Sequence, residues 1–129
     1  LTVRETAALL MNMVGRHPDK EFLFTVSPIR HLKDGAHGNQ LSKSTLLLAL
    51  DEVLAKFPER CEYFPAYEIV LDELRDYRFY AADMIHPSDQ AVDYLWSRFV
   101  GFAVPPADLP ELDSRRRELL RSRHRPINR

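Results

Sequence analysis

Asp83 and His86 have the residue types and the spacing that acid–base chemistry requires. They belong to the segment Asp83-Met84-Ile85-His86-Pro87-Ser88. A carboxylate that accepts a hydrogen bond from one imidazole nitrogen orients the ring and leaves the other nitrogen to act as a general base. An isolated Asp-x-x-His is also common in loops. The alternative therefore stays open that Asp83 only binds backbone amides and that His86 only precedes a proline before a helix cap.

The sequence offers no obvious nucleophile for this base. No serine follows a glycine, as a strained strand-to-helix nucleophile turn normally requires. Cys61 is the single cysteine, and a cysteine at the start of an apolar strand is more typical of a buried side chain than of a reactive thiol. The first residue is Leu1 and not a methionine. We therefore expect the attacking hydroxyl to lie in sequence that precedes Leu1.

A polar loop is predicted directly after the first strand. Residues 22–26 are aromatic and β-branched, which is typical of a buried parallel strand, and residues 27–40 contain the proline and glycines of a loop. Open α/β sheets bind ligands at the edge where the strands end and such loops begin. Asn39 is therefore a candidate oxyanion donor and His31 a candidate substrate contact. The alternative is that Asn39 forms a turn with Gly38 and that His31 is a solvated loop residue.

A metal site is the weaker interpretation of the same histidines. His31, His37 and His86, together with Asp34 or Asp83, offer suitable ligand types, but their spacing matches no compact zinc motif. Acyl transfer through a hydroxyl nucleophile requires neither a metal nor an organic cofactor. We therefore predict no metal ligands and no cofactor.

Helices and strands are predicted to alternate along the chain. The predicted elements are a helix capped by Thr2 and Glu5 and ending at Gly15, the strand 22–26, a helix capped by Ser42 or Ser44 and ended by Pro58, a strand at 61–64, a helical turn after Pro65, and a helix capped by Ser88 and ended by Gly101 or Pro105. This alternation indicates the α/β class with a mostly parallel sheet. Two or three strands are few beside the roughly five of an average sheet. We expect the sheet to be completed by upstream sequence or by a partner chain. A second copy of this chain is one such partner.

Composition indicates one globular domain followed by a basic extension. The chain has 129 residues, of which 45% are hydrophobic, and a formal net charge of -1. Arginines cluster towards the end and leave the rest of the chain acidic; they are Arg115, Arg116, Arg117, Arg121, Arg123, Arg125 and Arg129. No aromatic residue is interleaved with them, so a solvated tail is favoured over a nucleic-acid contact. We predict a domain at 1–104 and an extension at 105–129.

The same residues give an expectation for location. No apolar run approaches the roughly 18 residues of a membrane span, and no charged start followed by an apolar stretch indicates a signal peptide. The single cysteine suits a reducing compartment. We therefore expect a chain with no membrane span, located in the cytoplasm.

Three sequence blocks together resemble the GSCFA family, a group named for an N-terminal motif and similar to the SGNH or GDSL-like hydrolases. The blocks are Thr25-Val26-Ser27-Pro28-Ile29-Arg30-His31 with Asp34-Gly35 and Asn39-Gln40-Leu41-Ser42-Lys43; Tyr63-Phe64-Pro65-Ala66-Tyr67-Glu68; and Asp72-Glu73-Leu74-Arg75-Asp76-Tyr77-Arg78-Phe79-Tyr80 followed by the segment of Asp83 and His86. The resemblance covers residues 20–100. The combination is more specific than any single block.

The resemblance implies a three-layer α/β/α sandwich, of which this chain holds a part. It implies that a serine near the N-terminus of the family attacks an ester, while a late Asp-x-x-His, matched here by Asp83 and His86, supplies acid and base. The Gly-Ser-Cys motif of the family and the Gly-x-Asn-Asp block of the wider group are absent from these residues. We therefore expect the C-terminal part of an SGNH-like ester hydrolase or acyl transferase, acting on a small-molecule or carbohydrate ester and inactive alone. The alternative is a noncatalytic binding or scaffold module whose basic tail contacts anionic partners.

Overall fold

A computed structural model of the chain describes residues 1–123. Its helices and strands are α1 (Val3–Arg16), β1 (Phe22–Phe24), α2 (Gly35–Lys56), β2 (Cys61–Tyr63), α3 (Ala66–Glu68, continued as a π-helix over Ile69–Leu74), α4 (Asp89–Ala103) and α5 (Leu109–Arg123). Short 3₁₀ turns lie at Leu32–Asp34, Tyr77–Phe79 and Pro106–Asp108.

Helix α1 begins at the predicted capping box. The Thr2 hydroxyl accepts a hydrogen bond from the Glu5 backbone at 3.2 Å, and the Glu5 carboxylate accepts one from the Thr2 backbone at 2.8 Å. These reciprocal bonds satisfy backbone N–H groups that have no partner within the helix. The helix buries Thr6, Ala7 and Val14 on one face.

The two strands form a parallel pair, which confirms the predicted class of α/β with a parallel sheet. Phe22 pairs with Cys61 and Phe24 pairs with Tyr63. Since side chains alternate across a strand, these residues share one face. On that face the rings of Phe22 and Phe24 stack with their centroids 5.9 Å apart. Leu23, on the opposite face, is 41% exposed.

The core lies between this inner face and helices α1 and α2. Val14 of α1 and Val53 of α2 are fully buried and form one cluster with Cys61. A second cluster joins Val26 and Leu50 to Tyr67 at the end of β1. Both clusters hold the crossover helix α2 against the sheet, as the parallel connection requires.

Helix α2 begins earlier than the sequence pattern predicts. It starts at Gly35, so the predicted loop 27–40 ends at Asp34 and Asn39 is helical. The serine that was expected to cap the helix is inside it, where the Ser44 hydroxyl donates to the Gln40 carbonyl at 2.8 Å. A hydroxyl that bonds the preceding turn in this way fits a helix interior. The prediction of a helix capped by Ser42 or Ser44 was therefore wrong.

Helix α4 has the predicted cap and ends between the two predicted stops, Gly101 and Pro105. The Ser88 hydroxyl accepts a hydrogen bond from the Ala91 backbone at 3.4 Å, and the helix continues through Gly101 to Ala103. Ala91 is fully buried, whereas Trp96 of the same helix is 40% exposed.

The chain divides into two compact units, Leu1–Trp96 and a second that begins at Ser97. The second contains helix α5, where Arg115 and Glu111 form an ion pair at 2.7 Å. The division predicted from the sequence, 1–104 and 105–129, stays a prediction. Arg125 and Arg129 of the basic tail lie outside the described residues.

Within residues 1–123, no helix has the length and apolar character needed to cross a membrane.

Candidate functional site

Asp83 and His86 are joined side chain to side chain. His86 Nδ1 lies 2.7 Å from Asp83 Oδ2, while Asp83 Oδ1 accepts hydrogen bonds from the backbone of Ile85 at 2.9 Å and of His86 at 3.0 Å. One carboxylate therefore binds both the backbone amides and the ring. An ionised carboxylate only accepts hydrogen bonds. The proton of a neutral ring therefore lies on Nδ1, and the lone pair of Nε2 is the basic position.

The Asp83 carboxyl is ionised at neutral pH. The hydrogen bond from His86, followed by those from the backbone of Ile85 and His86, lowers the pKa of Asp83 from 3.8 to about 2. The side chains of His86 and Asp83 are 57% and 44% exposed, so water screens their attraction. No described residue forms a hydrogen bond with Nε2 of His86, which leaves that atom accessible to a reacting group.

Residues 81–88, here called the Asp–His loop, hold the pair through a compact set of backbone bonds. Ala81 donates to the His86 carbonyl at 2.7 Å, and Met84 donates to the Ala81 carbonyl at 2.9 Å. Met84 has a φ of 59°, in the left-handed region that non-glycine residues rarely adopt. This reversal of the chain between Asp83 and His86 brings the side chains of these two residues to the same side.

Arg30 connects the Asp–His loop to the segment that follows β1. Its backbone N–H donates to the Ile85 carbonyl at 3.1 Å, and its guanidinium Nη1 lies 3.4 Å from the Met84 carbonyl. The guanidinium also stacks on the ring of Tyr80, 3.8 Å from the centroid. The pair is thus attached to the carboxyl end of the sheet, the edge at which α/β proteins bind ligands.

A cavity of about 330 Å³ lies beside this attachment; we call it the Arg30 cavity. The side chains with polar atoms that line it are Arg30, His31, Asn39, Gln40, Tyr67, Tyr77 and Tyr80. The structure therefore brings together His31 and Asn39, the two predicted ligand contacts. Asp83 and His86 are not among the lining residues, and Arg30 is the residue that links them to the cavity.

The contact between His31 and Asn39 fixes the orientation of the amide. The His31 backbone N–H donates to Asn39 Oδ1 at 2.9 Å. The carboxamide oxygen must therefore face His31, because an NH₂ group there could not accept. Asn39 is left with its Nδ2 donor, the group that stabilising an oxyanion requires.

Lys43 is a buried charge that sequence reasoning missed. Its side chain is 2% exposed, and Nζ donates to the Ser27 carbonyl at 2.6 Å. Burial lowers the pKa of Lys43. The available signal was its helical spacing to Leu47 and Leu50 on the apolar face of α2.

Tyrosines of the family-like blocks were also missed, as was Arg30. The Tyr67 hydroxyl donates to Gln40 Oε1 at 2.8 Å, and burial raises the pKa of Tyr67. The Tyr63 hydroxyl binds the Glu68 carboxylate at 2.8 Å, and burial together with Glu68 raises the pKa of Tyr63. The hydroxyl of Tyr80 is buried without a hydrogen-bond partner among the described residues.

The serines nearest in sequence to these contacts are engaged elsewhere. The Ser27 hydroxyl accepts from the Ile29 backbone at 3.3 Å, and that of Ser88 caps α4. Neither of these two hydroxyls forms a hydrogen bond with His86. In the same part of the chain, no group of three or more His, Cys, Asp or Glu residues is arranged to hold a metal ion.

The sequence profile of the GSCFA family matches residues 2–99. This match contains β1, the Arg30 cavity and the Asp–His loop. No curated protein and no solved structure matches the chain.

Proposed function

Because the chain belongs to the GSCFA family, we propose that it supplies the acid–base part of an ester hydrolase or acyl transferase site. His86 is the general base and Asp83 the carboxylate that orients it. The observation that carries this proposal is the 2.7 Å contact between His86 Nδ1 and Asp83 Oδ2, with no described residue on Nε2. That arrangement is the one a hydroxyl nucleophile requires from its base.

Each half of the proposed reaction, acylation and deacylation, proceeds in two proton transfers. His86 Nε2 takes the proton of an attacking hydroxyl as its oxygen forms a bond to the acyl carbon of the ester. The Asp83 carboxylate stabilises the imidazolium that results. His86 then returns the proton to the departing alkoxide when the ester bond breaks. Water or a second alcohol attacks the acyl-enzyme through the same base, which gives hydrolysis or transfer.

Two further roles complete the proposal. The nucleophilic hydroxyl belongs to sequence outside residues 1–123, since no described hydroxyl bonds His86. Asn39 donates through Nδ2 to the oxyanion of the tetrahedral intermediate. His31 contacts the substrate, a small-molecule or carbohydrate ester.

The sheet supports a larger fold than the described residues form. Parallel sheets are normally covered by helices on both faces, yet Leu23 on the outer face of β1 is 41% exposed. We propose that further sequence or a partner chain covers this face and adds strands, which would produce the three-layer sandwich implied by the resemblance.

Ester hydrolysis by a longer protein tests the chemical roles. The assay uses a p-nitrophenyl ester and a protein in which this chain follows the Gly-Ser-Cys motif. We expect His86→Ala to lower kcat by about a thousandfold or more, and Asp83→Asn to lower it because the wrong tautomer is then favoured. His17→Gln is the matched control, since His17 is an exposed residue whose backbone ends α1. Retained turnover in His86→Ala would remove His86 from the mechanism.

A further inference from the structure

We propose that the Arg30 cavity binds an oxyanion, a carboxylate or a phosphate group, carried by the ligand of this protein. The inference deepens the proposed function, and rests on it only in treating that ligand as the substrate. The binding itself is a property of the described residues. Four independent features of the cavity support it.

The first feature is charge. None of the residues that line the cavity is acidic, and Arg30 is a permanent cation among them. Its guanidinium is hydrogen-bonded only to the Met84 carbonyl, at 3.4 Å, and no carboxylate among residues 1–123 forms an ion pair with it. Several N–H donors of the guanidinium are therefore left for a ligand, which favours an anion with more than one oxygen.

The second feature is the orientation of two side-chain amides. The oxygen of Asn39 is used by the His31 backbone, and the oxygen of Gln40 is used by the Tyr67 hydroxyl. Each amide has only its NH₂ group left, and an NH₂ group can only donate. Since the proposed function already uses the NH₂ group of Asn39, the one left for the acid group of the ligand is that of Gln40. Since the acceptors are consumed inside the protein, the cavity selects a ligand group that accepts hydrogen bonds.

The third feature is the N-terminus of α2. Gly35 and Ala36, its first residues, line the cavity. Asp34 precedes them without capping the helix through its side chain, and it is not a lining residue. The Gly35 N–H donates to the Leu32 carbonyl, so the N–H groups that follow it, together with the helix dipole, favour an anion at this position.

The fourth feature is the Tyr80 hydroxyl. Tyr80 is only 8% exposed, and its hydroxyl is buried without a partner in the described part of the chain. A buried polar group without a hydrogen bond is costly, and native structures usually satisfy it. A ligand oxygen bound at Arg30, whose guanidinium stacks on the Tyr80 ring, would satisfy this hydroxyl.

These features place the anion on the residue that holds the Asp–His loop. Arg30 holds the Asp–His loop through the carbonyls of Met84 and Ile85. A substrate whose acid group binds Arg30 is therefore anchored next to the loop that carries His86. The proposed substrate class is an ester that also carries a carboxylate or a phosphate.

Nuclear magnetic resonance (NMR) titration of the ¹⁵N-labelled chain tests binding directly. Sodium acetate and inorganic phosphate are added in separate series, and sodium chloride at matched ionic strength is the control. We expect saturable shifts of the Gln40 side-chain amide and of the Ala36 backbone amide. The series with the tighter response distinguishes a carboxylate from a phosphate site. Equal shifts with chloride, or no shift with either anion, would overturn the proposal.

Substitutions identify the groups that bind. Arg30→Gln is expected to weaken binding by about tenfold or more, as loss of hydrogen bonds to a charged group does. Tyr80→Phe is expected to weaken binding without lowering the melting temperature, because the buried hydroxyl makes no hydrogen bond that the substitution could remove. This variant decides the test if Arg30→Gln does not fold. Arg78→Gln is the matched control, since Arg78 is exposed, pairs with Asp76 and does not line the cavity.

The outcomes separate this inference from the proposed function. Unchanged affinity in both Arg30→Gln and Tyr80→Phe would contradict the oxyanion site and leave the role of His86 intact. We expect His86→Ala to bind the anion with unchanged affinity, since His86 does not line the cavity. Loss of hydrolysis in His86→Ala together with retained anion binding would agree with both the oxyanion site and the proposed role of His86.

Discussion

The ionised state of Asp83 depends mainly on the imidazole of His86, and the backbone N–H groups contribute less. We expect His86→Ala to raise the pKa of Asp83 from about 2 towards its ordinary 3.8, and to leave it below that value because the backbone bonds remain. Side-chain ¹³C NMR during an acid titration measures this change.

Since the folded pKa lies below the unfolded one, the contribution of Asp83 to stability is present above pH 3.8 and is lost as the pH falls to about 2.

Asp19 is the control carboxyl for that titration. Its pKa is lowered mainly by the side chain of Lys20, which contacts neither member of the Asp83–His86 pair. The pKa of Asp19 should therefore be the same in the variant and in the original chain. An unchanged Asp83 pKa in His86→Ala would show that the two side chains are not hydrogen-bonded in solution.

The backbone of Met84 determines whether the pair can meet. A left-handed conformation costs a non-glycine residue about 1–2 kcal/mol, and a β-branched side chain tolerates it least. We expect Met84→Val to destabilise the fold by about 1 kcal/mol or more and to weaken the Nδ1–H resonance of His86. Met84→Gly should retain both the stability of the fold and this resonance. Thermal unfolding and ¹H NMR measure the two effects. Equal behaviour of both variants would contradict a requirement for left-handed backbone.

At the residue scale, sequence reasoning predicts chemistry that is local and misses chemistry that is long-range. Asp83 and His86 are neighbours in one turn, so their contact follows from their spacing. The orphan hydroxyl of Tyr80 and the bond from Lys43 to Ser27 depend on the packing of distant segments. The role of Arg30 has the same origin, since its partners lie in the Asp–His loop.

At the element scale, the packing of α1 and α2 on the sheet carries the core. Val53 is fully buried beside Val14 and Cys61. We expect Val53→Ala to lower the free energy of unfolding by about 2 kcal/mol, because two methyl groups leave a cavity that the core closes only in part. Urea denaturation measures the change.

Val92→Ala in α4 is the matched control for Val53→Ala. Val92 is 52% exposed, and both substitutions bring the same gain in helix propensity. The control should change stability by no more than about 0.5 kcal/mol. Equal losses in the two variants would mean that α2 does not bury Val53 against the sheet.

Element boundaries follow from the sequence where a cap is local. The Thr2 and Glu5 box and the Ser88 cap are each complete within four residues of chain, and both helix starts are predicted correctly. The start of α2 is not, because Gly35, Gly38 and Asn39 are typical of loops. Their helical state is supported by tertiary contacts, namely the bond from His31 to Asn39 and that from Tyr67 to Gln40.

At the scale of the whole molecule, the α/β class and the parallel pairing were predictable because they follow from the order of elements. The two strands that the described residues form leave one face of the sheet exposed at Leu23. A three-layer sandwich requires a layer on that face, and the described residues do not supply one. The three-layer sandwich therefore stays a prediction.

Lys43 ties the crossover helix to the end of β1, and its charge makes the stability of the whole fold depend on pH. Burial lowers its pKa from 10.5, so the folded state releases this proton at a lower pH than the unfolded state. The unfolded state then binds more protons in the interval below 10.5, and stability rises with pH there. We expect the unfolding free energy of the original chain, relative to Lys43→Met, to increase as the pH approaches 10.5. Urea denaturation of both proteins across that interval measures the difference, and a difference that stays constant would mean that Lys43 is hydrated in solution.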